Sequence, residues 1–160
     1  MTFDARQIAN WFVARYSEDG KNPSIMTLLK MTYIAHGWHL GIKGVPLFSN
    51  DIQAWRHGPV IEEVYTLFRK QGDYSTSIAH GFPKEEIEPE TVNFLEDVYR
   101  KYGRYDAWTL SNLTHKKDSP WDITWREIGE YGEIPDSLIK QHYALKLAQA
   151  ELKKQQAQAT

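Results

Sequence analysis

The chain has 160 residues, the size of one domain, and its 19 basic and 21 acidic side chains leave a net charge of −2, without the basic excess of a nucleic-acid binder. The lack of cysteine excludes disulfides, thiol catalysis and thiolate zinc sites. The opening MTFDARQIANW lacks the basic and apolar regions of a signal peptide, and no apolar run approaches the ~18 residues of a membrane span, so a cytoplasmic location is expected.

Asp4 is placed to cap a first helix running to about residue 18, with Ala5, Ile8, Ala9, Phe12, Val13 and Tyr16 at helical spacing. EDGKNPS breaks it, and Ser24 caps a second helix to about residue 40. Ile25, Leu28, Leu29, Met31, Tyr33, Ile34, Ala35, Trp38 and Leu40 leave this helix almost no polar face, and Lys30 is the only charge inside it. A helix apolar all round is normally buried on most sides, so it is predicted to be the central helix. Gly41, Gly44 and Pro46 in GIKGVP end it.

Two short extended pieces, residues 45–48 and 52–56, predict a small hairpin. In the second piece Ile52 and Ala54 face one way, Gln53 and Trp55 the other. Gly58-Pro59 is read as the start of a third helix to about residue 70, since proline suits a first helical turn. Residues 71–88 read as a loop, residues 89–102 as a fourth helix stopped by Gly103, and Asp106 as the cap of a fifth, AWTLSNLTH. KKDSPWDITWREIGEYGEIP is read as irregular, and Asp136 caps a last helix with Ile139, Tyr143 and Leu147 on one stripe. The expected fold is mainly α: a compact single-domain helical bundle, residues 1–150, around a buried central helix with a small inserted β-hairpin. Residues 151–160 form a polar tail expected to fray.

No catalytic constellation stands out. His36 and His39 are three apart on one helix and, with a third ligand, could hold zinc, but none lies at diagnostic spacing and HEXXH is absent. Hydrogen-bonded structural histidines are the preferred reading. GXSXG, a P-loop and GXGXXG are missing. Glu62-Glu63 and Glu85-Glu86 are adjacent, so on a helix they diverge by about 100° and read as solvated faces. The doublets Lys116-Lys117 and Lys153-Lys154 read the same way. Asp51, Arg56 and His57 could cluster beside the hairpin, and a hydrogen-bonded turn accounts for them: Trp55 anchors it in the core, Arg56 and His57 satisfy carbonyls, Gly58 permits a tight turn and Pro59 starts the next helix. No metal or cofactor is expected.

The segment LLKMTYIAHGWHLGIKGVPLFSNDIQAWRHGPVIEEVY resembles the core signature of the Panacea domain, found in SocA-like antitoxins and phage-associated proteins. The resemblance is carried by Lys30, Tyr33, Ala35, Gly37, Trp38 and Leu40, then Pro46, Leu47, Phe48, Ile52, Ala54, Trp55, Gly58, Pro59, Val60, Val64, Tyr65 and Phe68. LSNLTHKKDSPWDITW is similar to the family's second block through Leu110, Ser111, Leu113, Thr114, His115, Pro120 and Trp121. Asn50 departs from the family pattern, which has an acidic residue there. The resemblance spans about residues 4–145.

It implies a non-enzymatic cytoplasmic antitoxin that neutralises a cognate protein toxin by direct binding, with the toxin expected from an adjacent gene and a homo- or hetero-oligomer as the assembled form. Tyr33, Gly37, Trp38, Gly58, Pro59, His115 and Pro120 are then scaffold. Trp55, Arg56, His57, Glu62, Glu63, Arg69, Lys70, Trp121 and Trp125 are the expected toxin-binding residues, because aromatic anchors carry binding energy and charges tune specificity. Two alternatives are an adaptor that delivers a partner to a protease and an enzyme using His36, His57 or His115.

Overall fold

A computed structural model of the chain describes residues 2–72, 75–82 and 84–159. Among these residues the chain forms, in order, α1 (Ala5–Glu18), α2 (Ile25–Lys43), β1 (Gln53–Trp55), β2 (Gly58–Val60), α3 (Glu62–Arg69), α4 (Pro89–Tyr102), α5 (Ala107–Thr114), α6 (Pro120–Glu127), β3 (Gly132–Glu133) and α7 (Asp136–Ala159). The fold is mainly α with one small antiparallel sheet, as the periodicity predicts.

α2 is the axis of the molecule. It packs against α1, α3, α4, α5, α7 and β2, and every residue from Leu28 to Leu40 is buried. Its start is fixed by Ser24, whose Oγ accepts a hydrogen bond from the Thr27 amide at 3.1 Å. Asp4 and Asp106 cap α1 and α5 through their side-chain oxygens. The helix runs to Lys43 rather than stopping near residue 40. Gly41 does not break it. With Gly37, one turn earlier on the same face, it lets α7 approach: a Cβ on Gly41 would lie 2.8 Å from the Cβ of Tyr143.

The hairpin lies one step further along the chain than the extended pattern suggests. Leu47 and Phe48 are buried, and Phe48 makes only an isolated parallel bridge to Phe3. The paired strands are β1 and β2, with Gln53 opposite Val60, Ala54 opposite Pro59 and Trp55 opposite Gly58. Arg56 and His57 form the turn, and Gly58 takes φ 123°, a backbone that side chains disfavour. Pro59 therefore sits in a strand and not at a helix start. β2 is an edge strand, where a missing N–H can face away from the ladder. The other edge of β1 pairs with β3, giving the order β2-β1-β3. The alternation in β1 holds: Ile52 and Ala54 are buried, Gln53 and Trp55 half-buried.

Two more expectations need correction. The stretch read as irregular holds α6, started by Ser119, whose Oγ accepts from the Asp122 amide at 3.2 Å, and by Pro120 in the first turn. It also supplies β3. The last helix continues past residue 150 to Ala159, with residues 151–159 exposed. The segment read as a loop contains no helix or strand among its described residues before Pro89; residues 73, 74 and 83 lie outside the described set. Asn10 holds this segment by donating to the Ala79 carbonyl at 2.8 Å and accepting from the Ala79 amide at 2.9 Å. Asn50, the departure from the family pattern, accepts from the Ala5 amide at the start of α1 at 2.8 Å.

Candidate binding cleft

Three separate elements bond to the backbone of the hairpin turn. The Lys30 ammonium of α2 donates to the Pro59 carbonyl at 3.0 Å, the Ser111 hydroxyl of α5 to the His57 carbonyl at 2.7 Å, and the Trp121 indole of α6 to the Trp55 carbonyl at 2.6 Å. The carbonyls are thus satisfied from below, not by Arg56 and His57, whose side chains are exposed. A turn tied to three helices is a rigid wall, which suits a surface that must present side chains in fixed positions.

Beside this wall lies a cavity of about 660 Å³, a size typical of ligand pockets. Its floor is the first turns of α2, including Leu29 and Lys30. Trp55 and Tyr65 form one side, Trp108 at the start of α5 another, and the Glu130-Tyr131 turn closes it. Trp55 is half-buried and meets Tyr65 and Tyr131 edge to face, with ring centroids 5.0 and 5.5 Å apart. It is therefore a wall of the cleft and not the core anchor expected for it. Trp108 and Tyr131 are 68% and 59% exposed, a large outlay of aromatic surface to water. Tyr131 also has φ 67°, uncommon for a bulky residue, and its amide is held by the Ala54 carbonyl at 2.8 Å.

Lys30 is 2% exposed and, among the described residues, has no carboxylate partner. Burial pushes its ammonium down from an ordinary 10.5 to about 7. Gly58 matters here because a Cβ would stand 3.1 Å from Lys30 Nζ. Lys30 was visible in the sequence as the one charge on an apolar helix. Trp108 and Tyr131 carried no such signal, since they reach the cleft only through tertiary packing.

The expected binding residues divide into groups. Trp55, Arg56 and His57 line the cleft. Trp121 is buried behind the hairpin and Trp125, half-buried, stacks on it at 5.1 Å, so the pair supports the wall. Glu62, Glu63 and Arg69 are exposed on α3, as is Lys70 just past its end, and the guanidinium of Arg69 lies 5.5 Å from the centroid of the Tyr65 ring. Glu62, Glu63 and Lys70 border a second depression with Arg6.

Several of the residues expected to be scaffold are packed inside the domain. Tyr33 is buried, Trp38 donates its indole N–H to the Tyr102 hydroxyl at 2.8 Å, His115 packs edge-on to Trp121, and Pro120 is buried at the start of α6. His36 and His39 are both hydrogen-bonded: His36 Nε2 pairs with Asp136 at 2.8 Å and its ring stacks on Phe48, while His39 Nδ1 meets the Val45 carbonyl at 2.6 Å. Burial lowers the pKa of His39. Among the described residues no three His, Asp or Glu side chains converge, and no helix is long and apolar enough to cross a membrane.

Residues 28–122 match the family described as Antitoxin SocA-like, Panacea domain. Over 130 residues the chain is 30% identical to Antitoxin SocA of Caulobacter vibrioides (strain NA1000 / CB15N), covering 75% of this chain and 69% of that protein. No solved structure matches. The matched span contains Lys30, the hairpin, Trp108 and Trp121, whereas Tyr131 and α7 fall beyond it.

Proposed function

Because the chain belongs to the Antitoxin SocA-like, Panacea-domain family, we propose that it neutralises a cognate protein toxin by direct, stoichiometric contact and without enzymatic turnover. The observation that carries this reading is the cleft with Trp108 and Tyr131 exposed at its mouth. Large aromatics that lie against water in the free protein are the residue type that dominates interface energetics when a partner covers them. The rigid hairpin wall keeps the ordering cost of binding low. The charged residues on and just after α3, Glu62, Glu63, Arg69 and Lys70, sit outside the cleft and act on partner choice more than on affinity.

The test is co-expression with the product of the adjacent gene. Growth is rescued, the two proteins co-purify, and protection tracks the dose of this chain. His36→Ala and His115→Ala still protect where they fold. If a trace of the chain protects against a large excess of toxin, or a folded histidine variant binds the toxin but no longer protects, the protein acts by turnover and this reading fails.

A further inference from the structure

We propose that the cleft selects a C-terminal aromatic residue of its partner, the ring lying among Trp55, Trp108 and Tyr131 and the terminal carboxylate meeting the Lys30 ammonium. The floor and walls ask for two different chemistries within one space of about 660 Å³. The walls are aromatic and want a flat apolar group. Lys30 lines the floor and is 2% exposed; its ammonium has three donors, and its one hydrogen bond among the described residues goes to the Pro59 carbonyl.

An ammonium left in this state favours an incoming anion, which restores the charged form that burial opposes. Charge on the cleft points the same way. Arg56 stands on the turn beside Lys30, and among the described residues the one acid lining the cleft, Glu130, forms no ion pair with Lys30. Arginine or lysine on the partner would meet like charge, and an aliphatic side chain alone would leave the ammonium unpaired. Aspartate and glutamate have a carboxylate but no ring, so a chain terminus is the simplest protein group that joins both on one residue.

This inference rests on the partner-binding reading, but its test uses no toxin, so it can fail while that reading stands. The probes are N-acetyl-phenylalanine, its C-terminal amide, and acetyl-Phe-Asp-amide, whose carboxylate lies on a side chain. Binding is followed by NMR titration of the indole N–H signals of Trp55 and Trp108 at pH 7. The free acid is expected to bind at least about tenfold more tightly than the amide, as a charge-assisted hydrogen bond in a sheltered site implies. It is also expected to bind more tightly than acetyl-Phe-Asp-amide. Lys30→Met removes the preference for the acid, and Trp108→Ala weakens acid and amide alike. Equal binding of acid and amide, no binding at millimolar probe, or acetyl-Phe-Asp-amide matching the free acid overturns the proposal. So does a folded Lys30→Met protein that keeps the preference. If that variant does not fold, the three probes on the unmodified protein decide the question.

Discussion

The ring of Tyr143 lies directly over Gly37, so that a Cβ at position 37 would stand 2.6 Å from Cδ2 of the tyrosine. α7 is buried against α2 at this point, and Tyr143 is itself 4% exposed and edge-on to Trp38 at 5.2 Å. Gly37→Ala therefore forces the two helices apart. It should destabilise the domain by about 1–3 kcal/mol, the usual range for overpacking a tight core. Pairing it with Tyr143→Leu should recover part of the loss, because the flat ring is what occupies the space. Denaturant midpoints of the single and double variants measure both effects, and a Gly37→Ala protein of unchanged midpoint would contradict this packing.

Trp38 and Trp55 should behave differently, although both stand in the same sequence signature. Trp38 is buried and hydrogen-bonded to Tyr102, so Trp38→Ala should cost about 3–5 kcal/mol and unfold much of the population. Trp55 is half-buried on the cleft wall. Trp55→Ala should cost less than half as much, leave the circular dichroism spectrum intact and weaken partner binding. Equal destabilisation by the two substitutions would place Trp55 in the core after all.

Stability should rise with pH above neutrality. Lys30 loses its proton near pH 7 in the folded chain but near 10.5 when unfolded, so between these values the unfolded state binds more protons. Unfolding thus becomes harder as pH increases through this window, with a slope of up to about 1.4 kcal/mol per pH unit. Above pH 10 the trend reverses. Burial holds the phenols of Tyr16, Tyr33 and Tyr143 well above their ordinary value of 10, so the unfolded chain ionises first and the folded state loses ground. Burial also lowers Lys146, which adds a slope of the same sign, so the comparison with Lys30→Met isolates the contribution of Lys30. Urea titrations from pH 6 to 11 test this. A flat profile between pH 7 and 9.5, or the same slope in Lys30→Met, would count against a buried, neutralising lysine.

Trp108 separates binding from folding. It is 68% exposed, so Trp108→Ala should change stability by no more than about 0.5 kcal/mol. If it anchors the partner, the same change should cost about 2 kcal/mol or more of affinity. Thermal denaturation and calorimetric binding on one preparation give both numbers, and an affinity equal to that of the unmodified chain would remove Trp108 from the interface.

Some of this architecture was plain in the sequence. Asp4, Ser24 and Asp106 each have an oxygen one residue ahead of an apolar periodic run, and each caps a helix. The lack of a polar face on α2 foretold its burial. The hairpin was misplaced because the apolar run at 45–48 looks like a strand when isolated, whereas Leu47 and Phe48 are core residues beside Phe3. Pro59 is ambiguous in sequence because a proline suits an edge strand as well as a helix start. In α6 the Ser119-Pro120 start is present in the sequence, but the tryptophans and glycines around it hide the helical period. Lys30 could be singled out from sequence, but not what it faces. Trp55, Trp108 and Tyr131 come from three distant segments, and no local pattern records their convergence.

β1 takes its second neighbour from Gly132–Glu133, and the Tyr131 amide bonds to Ala54 in the same place. During synthesis the floor of the cleft leaves the ribosome early and its last wall comes late. At roughly 5–20 residues per second, the interval is on the order of ten seconds. If the cleft holds the partner, a growing chain that has released α2 and the hairpin still lacks the Glu130-Tyr131 turn and should not yet grip it. Protection should then lag behind the start of translation by a time set by chain connectivity rather than by affinity. Ribosome-arrested chains of increasing length should begin to capture the partner abruptly, once residues 130–133 have cleared the exit tunnel; capture by shorter chains would show that the cleft works with one side open.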